Sequence, residues 1–299
     1  MSRARGRLRR RWATAVCAAL FAAGALVGCS GSAGPAATVI PLPTALPAAI
    51  PYDDAMRLFE YDHSLPYAVK EIRVTDEAGA TVVQITYSLG SGTRTLAYFV
   101  FPRGSGPFGA VMFLPGGQRG PEEFMDEALD LASHGVASLL IKEPELNPMP
   151  LTDADAVTNI IFEMRELRRA LDLLASRPEV DAQRLGVVGV SFGAVRAGTF
   201  AGIEGRRLTI AVLASTPASY NFAPMAPFDP VVWAPHVSPA ALYVQEGTED
   251  TWFTHAEAES LIAVARAPKK LVWYSADHGL NGDAYNDRQG WLIAALGPR

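Results

Sequence analysis

Cysteine is nearly absent from this chain: among 299 residues only Cys17 and Cys29 carry a thiol, and both stand near its start. Everything after Cys29 therefore lacks a disulfide framework, a cysteine metal site and a thiol nucleophile. Positive charge is short as well. Lys and Arg number 26 against 31 Asp and Glu, a net charge of -5 that speaks against nucleic acid as a partner. Histidine is sparse, with five in all, so imidazole chemistry has few candidates. No internal repeat is visible.

A long apolar run is missing too: the uncharged segment from Trp12 to Val27 is too short to span a bilayer comfortably. Six arginines precede it, and this layout is that of a secretory signal over residues 1–28. Its removal would make the remaining chain still more acidic. The segment ends in Leu26-Val27-Gly28-Cys29, which resembles the lipobox of bacterial lipoproteins. That resemblance implies a lipidated Cys29, left as the first residue, and a protein anchored to the outer face of the cell membrane. An ordinary signal cleaved nearby, with secretion or a periplasmic location, is the alternative. Residues 29–50 are rich in Ala and Pro without charge or period, and read as an extended tether.

Residues 51–299 are a suitable length for one large domain. The runs YAVKEIRV, TVVQITYSL, RTLAYFVF and GAVMFLP are β-branched and aromatic, with Gly-rich turns between them, and antiparallel hairpins are expected there. Alternation follows: helices near 121–134, 153–176, after 191, 255–266 and 283–296, with strands ASLLIK, RLGVVGV, LTIAVLA, AALYVQEG and KLVWYS between them. Apolar strands separated by helices call for an α/β fold with a mostly parallel central sheet, helices on both faces and an antiparallel N-terminal part.

Gly189-Val190-Ser191-Phe192-Gly193 matches G-x-S-x-G where a buried strand gives way to a helix. A sharp turn there demands small neighbours, which explains the glycines, and it exposes Ser191 at a helix N-terminus that favours negative charge. Serine needs a base to become a nucleophile. His278, in the loop after the last expected strand, is the candidate; His255 reads as a helix start and His134 as a helix C-terminal cation. The base needs a carboxylate in turn. The loop after AALYVQEG offers Asp250, with Glu249 as the alternative, whereas Asp277 is too near His278 in sequence to reach its ring comfortably. Acyl transfer also calls for two amide donors to an oxyanion. Phe192 supplies one by position, and Gly117, with Gln118 next, is the candidate for the other.

With Ser191, Asp250 and His278 in this order on successive strand ends, residues 52–297 resemble the α/β-hydrolase family, and within it the dienelactone-hydrolase-like and acyl esterase branch. The opening FEYDHSLPYAVKEIRV, the Gly-rich turn after MFLP, GVSFG and DHGLNGDAYNDRQGWL carry the likeness. Two departures stand out. Dienelactone hydrolases have cysteine where this chain has Ser191, so lactone specificity does not carry over, and the usual His-Gly of the early loop is Pro115-Gly116 here.

The resemblance implies a serine hydrolase acting on a small-molecule carboxylic ester through an acyl-enzyme, without metal or organic cofactor. An acyltransferase or thioesterase on the same residues, or a surface lipoprotein that only binds a ligand, are the other readings. A Pro-rich stretch between LTIAVLA and AALYVQEG carries Tyr220, Phe222, Phe228 and Trp233. These aromatics either line a substrate pocket or pack beneath the loop, and Trp252 and Phe253 beside Asp250 pose the same choice; Tyr220, Phe222 and Trp252 are the candidates for substrate contact.

Overall fold

The computed structural model describes residues 50–117, 119–142, 152–220 and 223–298. The expected signal segment, Cys29, the tether up to residue 49, Gln118 and Phe222 lie outside these residues.

The first element is a helix that the sequence pattern does not announce, α1 (Tyr52–Leu58). It is too short to hold by propensity alone. Tertiary contacts hold it instead: Ala55 is buried, and Arg165 and Arg168 donate to the carbonyls of Leu58 and Phe59 at its end. Three strands then form an antiparallel meander, β1 (Lys70–Glu77), β2 (Ala80–Ser88) and β3 (Arg94–Pro102).

The fourth strand, β4 (Phe108–Leu114), departs from the expected hairpins. It lies between β5 (Val136–Ile141) and β6 (Val180–Val190), parallel to both, while β3 pairs antiparallel with β5. The reason is visible in its side chains. Alternate residues of a strand point to opposite faces, and here Ala110, Met112 and Leu114 enter one core while Val111 and Phe113 enter the other. A strand apolar on both faces belongs at the centre of a covered sheet.

The sheet continues through β7 (Leu208–Ala214), β8 (Ala241–Gly247) and β9 (Lys269–Tyr274), giving the order β1-β2-β3-β5-β4-β6-β7-β8-β9. All strands from β5 outward to β9 are parallel. On one face lie α1, α3 (Asp153–Ala175), α4 (Phe192–Glu204) and α6 (His255–Val264), and on the other α2 (Met125–Ser133) and α7 (Gly282–Leu296). Thr152 caps α3 by accepting from the Asp155 amide, so Asp153 and Asp155 sit in the first turn, where carboxylates suit the helix dipole.

Between β7 and β8 the chain forms two short 3-10 turns around α5 (Pro230–Trp233). Phe228 and Trp233 are buried there, both in edge-on contact with Phe59, and the Trp233 indole donates to the Pro227 carbonyl. These two aromatics pack. The carboxyl ends of β4, β6, β7, β8 and β9 all open on one edge of the sheet. Connections run to opposite sides from β4 and β6, and the crevice this leaves above their ends is where open α/β sheets place their ligands.

Candidate active site

Ser191 follows the last residue of β6 and precedes the first of α4. Its backbone has φ +55° and ψ -118°, a costly conformation for a residue with a side chain. The amide of Ser191 donates to the Ala214 carbonyl of β7, and its carbonyl accepts from Ala194 and Val195, so both sides of the turn are tied down. The flanking glycines are required by close approach. A Cβ on Gly193 would stand 2.2 Å from the Leu114 carbonyl oxygen, and one on Gly189 would stand 2.3 Å from that of Gly193.

Twenty-eight residues separate Asp250 from His278, and the sheet brings both to Ser191. His278 Nδ1 lies 2.7 Å from Asp250 Oδ2, and His278 Nε2 lies 2.8 Å from Ser191 Oγ. A carboxylate only accepts, so Nδ1 carries the proton and donates it to Asp250, which leaves Nε2 to accept from the serine hydroxyl. The other oxygen of Asp250 accepts the amides of Trp252 at 2.7 Å and Phe253 at 3.2 Å, which fixes the carboxylate. Its side chain is 2 % exposed.

The rival acids are engaged elsewhere. Asp277 Oδ1 accepts the Gly279 amide at 2.9 Å and shapes the histidine loop, while Glu249 Oε1 accepts from Ser275 Oγ. Among the other histidines, His255 opens α6 with its ring against Trp273, and His134 ends α2 with Nδ1 at the Asp130 carbonyl. Thr254 caps α6 through a reciprocal pair with Glu257.

Phe192 begins α4, whose first amides have no partner within the helix. Gly117 stands in the turn after β4 with φ +56°, the left-handed region. The turn packs tightly on the Ser191 elbow: a Cβ on Gly116 would meet the Val190 carbonyl oxygen at 3.1 Å and the Ser191 Cβ at 3.3 Å. The Gly116 amide is used, donating to Glu123 Oε2 at 2.9 Å.

Large aromatics surround His278. The Trp252 indole stacks on its ring with centroids 5.4 Å apart and planes 19° apart, and Phe253 meets it edge-on at 5.2 Å. Trp252 is 76 % exposed and Phe192 49 %, which leaves apolar surface on both flanks of Ser191. The Arg196 guanidinium lies 4.7 Å over the Phe192 ring and pairs with Glu163 of α3. Tyr220 is part-buried against the core, and its amide donates to Asp229 Oδ1. Burial pushes the Asp229 carboxyl up to about 6.

Three contributors escaped the sequence pattern. Ser215, at φ +52° after β7, donates its hydroxyl to the His278 carbonyl at 2.8 Å and holds the histidine loop. Gln245, buried in β8, donates to the Ala284 carbonyl and so fixes the start of α7. Glu246, beside it, accepts the Thr216 amide at 2.8 Å; burial pushes its carboxyl up to about 8, with Asp250 adding to the rise. A serine after a strand and a polar pair inside one are weak signals, because only the partners distinguish them from turn or edge residues.

No family model and no curated protein matches the chain. Solved structures do. An acetyl xylan esterase from Paenibacillus sp. R4 is similar with a TM-score of 0.68 and 20% identity, covering 82% of this chain and 93% of that one. Acetyl xylan esterase 1 from Thermoanaerobacterium sp. JW/SL YS485 aligns with a TM-score of 0.70 and 14% identity over 84% of this chain and 96% of its own. A dienelactone hydrolase from Anabaena variabilis aligns at 0.59 and 20%, over 73% of this chain and 99% of its own. At these identities the likeness is one of architecture: the chain has the α/β-hydrolase fold, in the form shared by acetyl xylan esterases and dienelactone hydrolases.

Proposed function

We propose that this chain is an exported serine hydrolase that cleaves a small-molecule carboxylic ester through an acyl-enzyme. The observation that carries the reading is the continuous hydrogen-bond path Asp250–His278–Ser191, ending on a hydroxyl held at a strained elbow. A fold retained only for binding has no need of that alignment, which counts against the non-catalytic reading. The solved structures with this architecture include several named esterases, which supports the ester.

In this reading Ser191 Oγ attacks the acyl carbon while His278 Nε2 takes its proton. Asp250 holds the histidine in the tautomer that accepts and stabilises its positive charge. The developing oxyanion is met by the amides of Phe192 and Gly117, at a helix start where negative charge is favoured. Collapse breaks the ester C–O bond, and the leaving oxygen takes the proton from Nε2. Water, deprotonated by the same nitrogen, then releases the acid. Trp252, and Tyr220 and Phe222 from the segment after β7, are assigned to the substrate. No step calls for a metal or an organic cofactor.

Export and the anchor rest on residues 1–29 alone: the arginine-rich start, the apolar segment and the lipobox-like Cys29. The decisive experiment pairs a fluorophosphonate probe with short-chain p-nitrophenyl esters. Ser191→Ala is expected to abolish labelling and to lower kcat/KM by roughly 10⁴-fold or more, with the fold intact. Labelling that persists unchanged in that variant overturns the reading.

A further inference from the structure

Asp250, Thr251, Trp252 and Phe253 belong to one loop after β8, and this loop meets His278 on three sides. Asp250 Oδ2 takes the Nδ1 edge of the imidazole at 2.7 Å, the Trp252 indole lies along its face with planes 19° apart, and the Phe253 ring meets it edge-on at 5.2 Å. The Asp250 carboxylate also accepts the amides of both aromatics, so acid and rings are held as a unit. Nε2 is left to Ser191 Oγ at 2.8 Å.

Indole is ordinarily well buried, yet Trp252 is 76 % exposed and lays its ring against His278. So exposed a side chain adds little to the core. Its π face, however, carries negative potential and attracts a cation within about 6 Å of the ring centroid, and the two centroids here are 5.4 Å apart. His278 is neutral when it accepts from Ser191, and it becomes a cation each time it takes a proton, once in forming the acyl-enzyme and once in releasing it. An interaction lowers a barrier only if it strengthens on the way to the transition state. The indole face gains strength as the imidazolium forms, while Asp250 stabilises the same charge from the Nδ1 edge.

We infer that Trp252 is a positioning residue that stabilises the His278 imidazolium by a cation–π contact in both halves of the reaction; the inference rests on Ser191 and His278 acting as proposed. This role is separable from contact with substrate. Contact depends on the size of the ester, whereas every ester passes through the same imidazolium.

The test measures kcat and KM for methyl, propyl and benzyl acetate in the parent, Trp252→Phe and Trp252→Leu proteins. Leucine keeps an apolar cover and removes the π face; phenylalanine keeps a weaker face. Trp252→Leu is expected to lower kcat about three- to fivefold on all three esters, with KM for methyl acetate nearly unchanged and Trp252→Phe in between. A second readout is spectroscopic, because a protonated imidazole quenches indole emission. The emission lost in Trp252→Phe excludes Trp233 and Trp273, which stand beside His236 and His255. That difference should fall between about pH 8 and pH 5, and the fall should vanish in a His278→Gln background, which leaves the nearby carboxyls of Glu246, Glu249, Asp250 and Asp277 in place. A loss confined to the larger esters, a loss carried by KM alone, equal kcat in Trp252→Leu and parent, or emission indifferent to His278 overturns the inference alone, provided a fluorophosphonate still labels Ser191 to completion in the Trp252 variants. Failure of the parent to label or to turn over any ester overturns the proposed function, and this inference with it.

Discussion

Two polar groupings share the region where β8, β9 and α7 meet, and they differ in how they end. One is closed. Arg288 of α7 is paired with Glu127 of α2 through two hydrogen bonds of 2.7 and 2.8 Å and also donates to Gln245, which in turn donates to Tyr274 and Ala284. Tyr274 passes its proton toward Asp287, so every strong group finds a partner of the protein's own. The other runs from the amides of Trp252 and Phe253 through Asp250 and His278 to Ser191, a part-exposed residue at the elbow. A closed network fixes position and leaves nothing to react with. An open one leaves its last group aimed at whatever enters the crevice.

Breaking each network separates the two roles. With the Ser191 hydroxyl left in place, the largest expected effect on activity alone comes from Asp250→Asn, because an amide there donates to Nδ1 and forces the tautomer in which Nε2 no longer accepts. The expected loss in kcat/KM is about 10³- to 10⁴-fold, with a melting temperature close to that of the parent; ester kinetics beside thermal unfolding check it. Arg288→Met attacks the closed network and leaves the buried Glu127 carboxylate unpaired. It should cost about 3–5 kcal/mol of stability in urea unfolding, while the folded fraction keeps its reactivity toward a fluorophosphonate. A large activity loss without loss of stability would place Arg288 in the chemistry and erase the contrast.

The smallest expected effect concerns Glu246, which lies between the two groupings. Its carboxyl, raised by burial from near 4.5 to about 8, stays protonated in the folded protein when the unfolded chain has already released that proton. Between these two values the folded state binds more protons, so its contribution makes the unfolding free energy fall as pH rises across that window. Glu246→Gln keeps an acceptor for the Thr216 amide and should flatten this part of the stability profile. A slope as steep as that of the parent would show that other groups carry it.

Much of the fold is written locally. Strands apolar on both faces, helices between them and the glycine-flanked serine follow from side-chain period and steric need; most reach the observed elements to within a residue or two, while β6 begins at Val180, four residues before the expected RLGVVGV. Local pattern misplaced β4, because pairing partners are not encoded in a strand's own alternation. It passed over α1, whose hold comes from Arg165 and Arg168 far along the chain. It also left the aromatics of the segment after β7 open. Phe228 and Trp233 proved to be core residues, whereas Trp252, in the loop after β8, is an exposed plate on the histidine, a distinction made by burial and not by residue type.

The chain by itself offered a serine between two glycines at an expected strand-to-helix elbow, one candidate histidine after the last strand, and an acid after the strand before it, Asp250 with Glu249 as the alternative. The tertiary structure alone decided that these meet. Hydrogen bonds of 2.7 and 2.8 Å depend on the parallel order of β6, β7, β8 and β9 and on the Ser215 and Gln245 contacts that seat the histidine loop. Such contacts act over tens of residues of separation, where period and propensity carry no information.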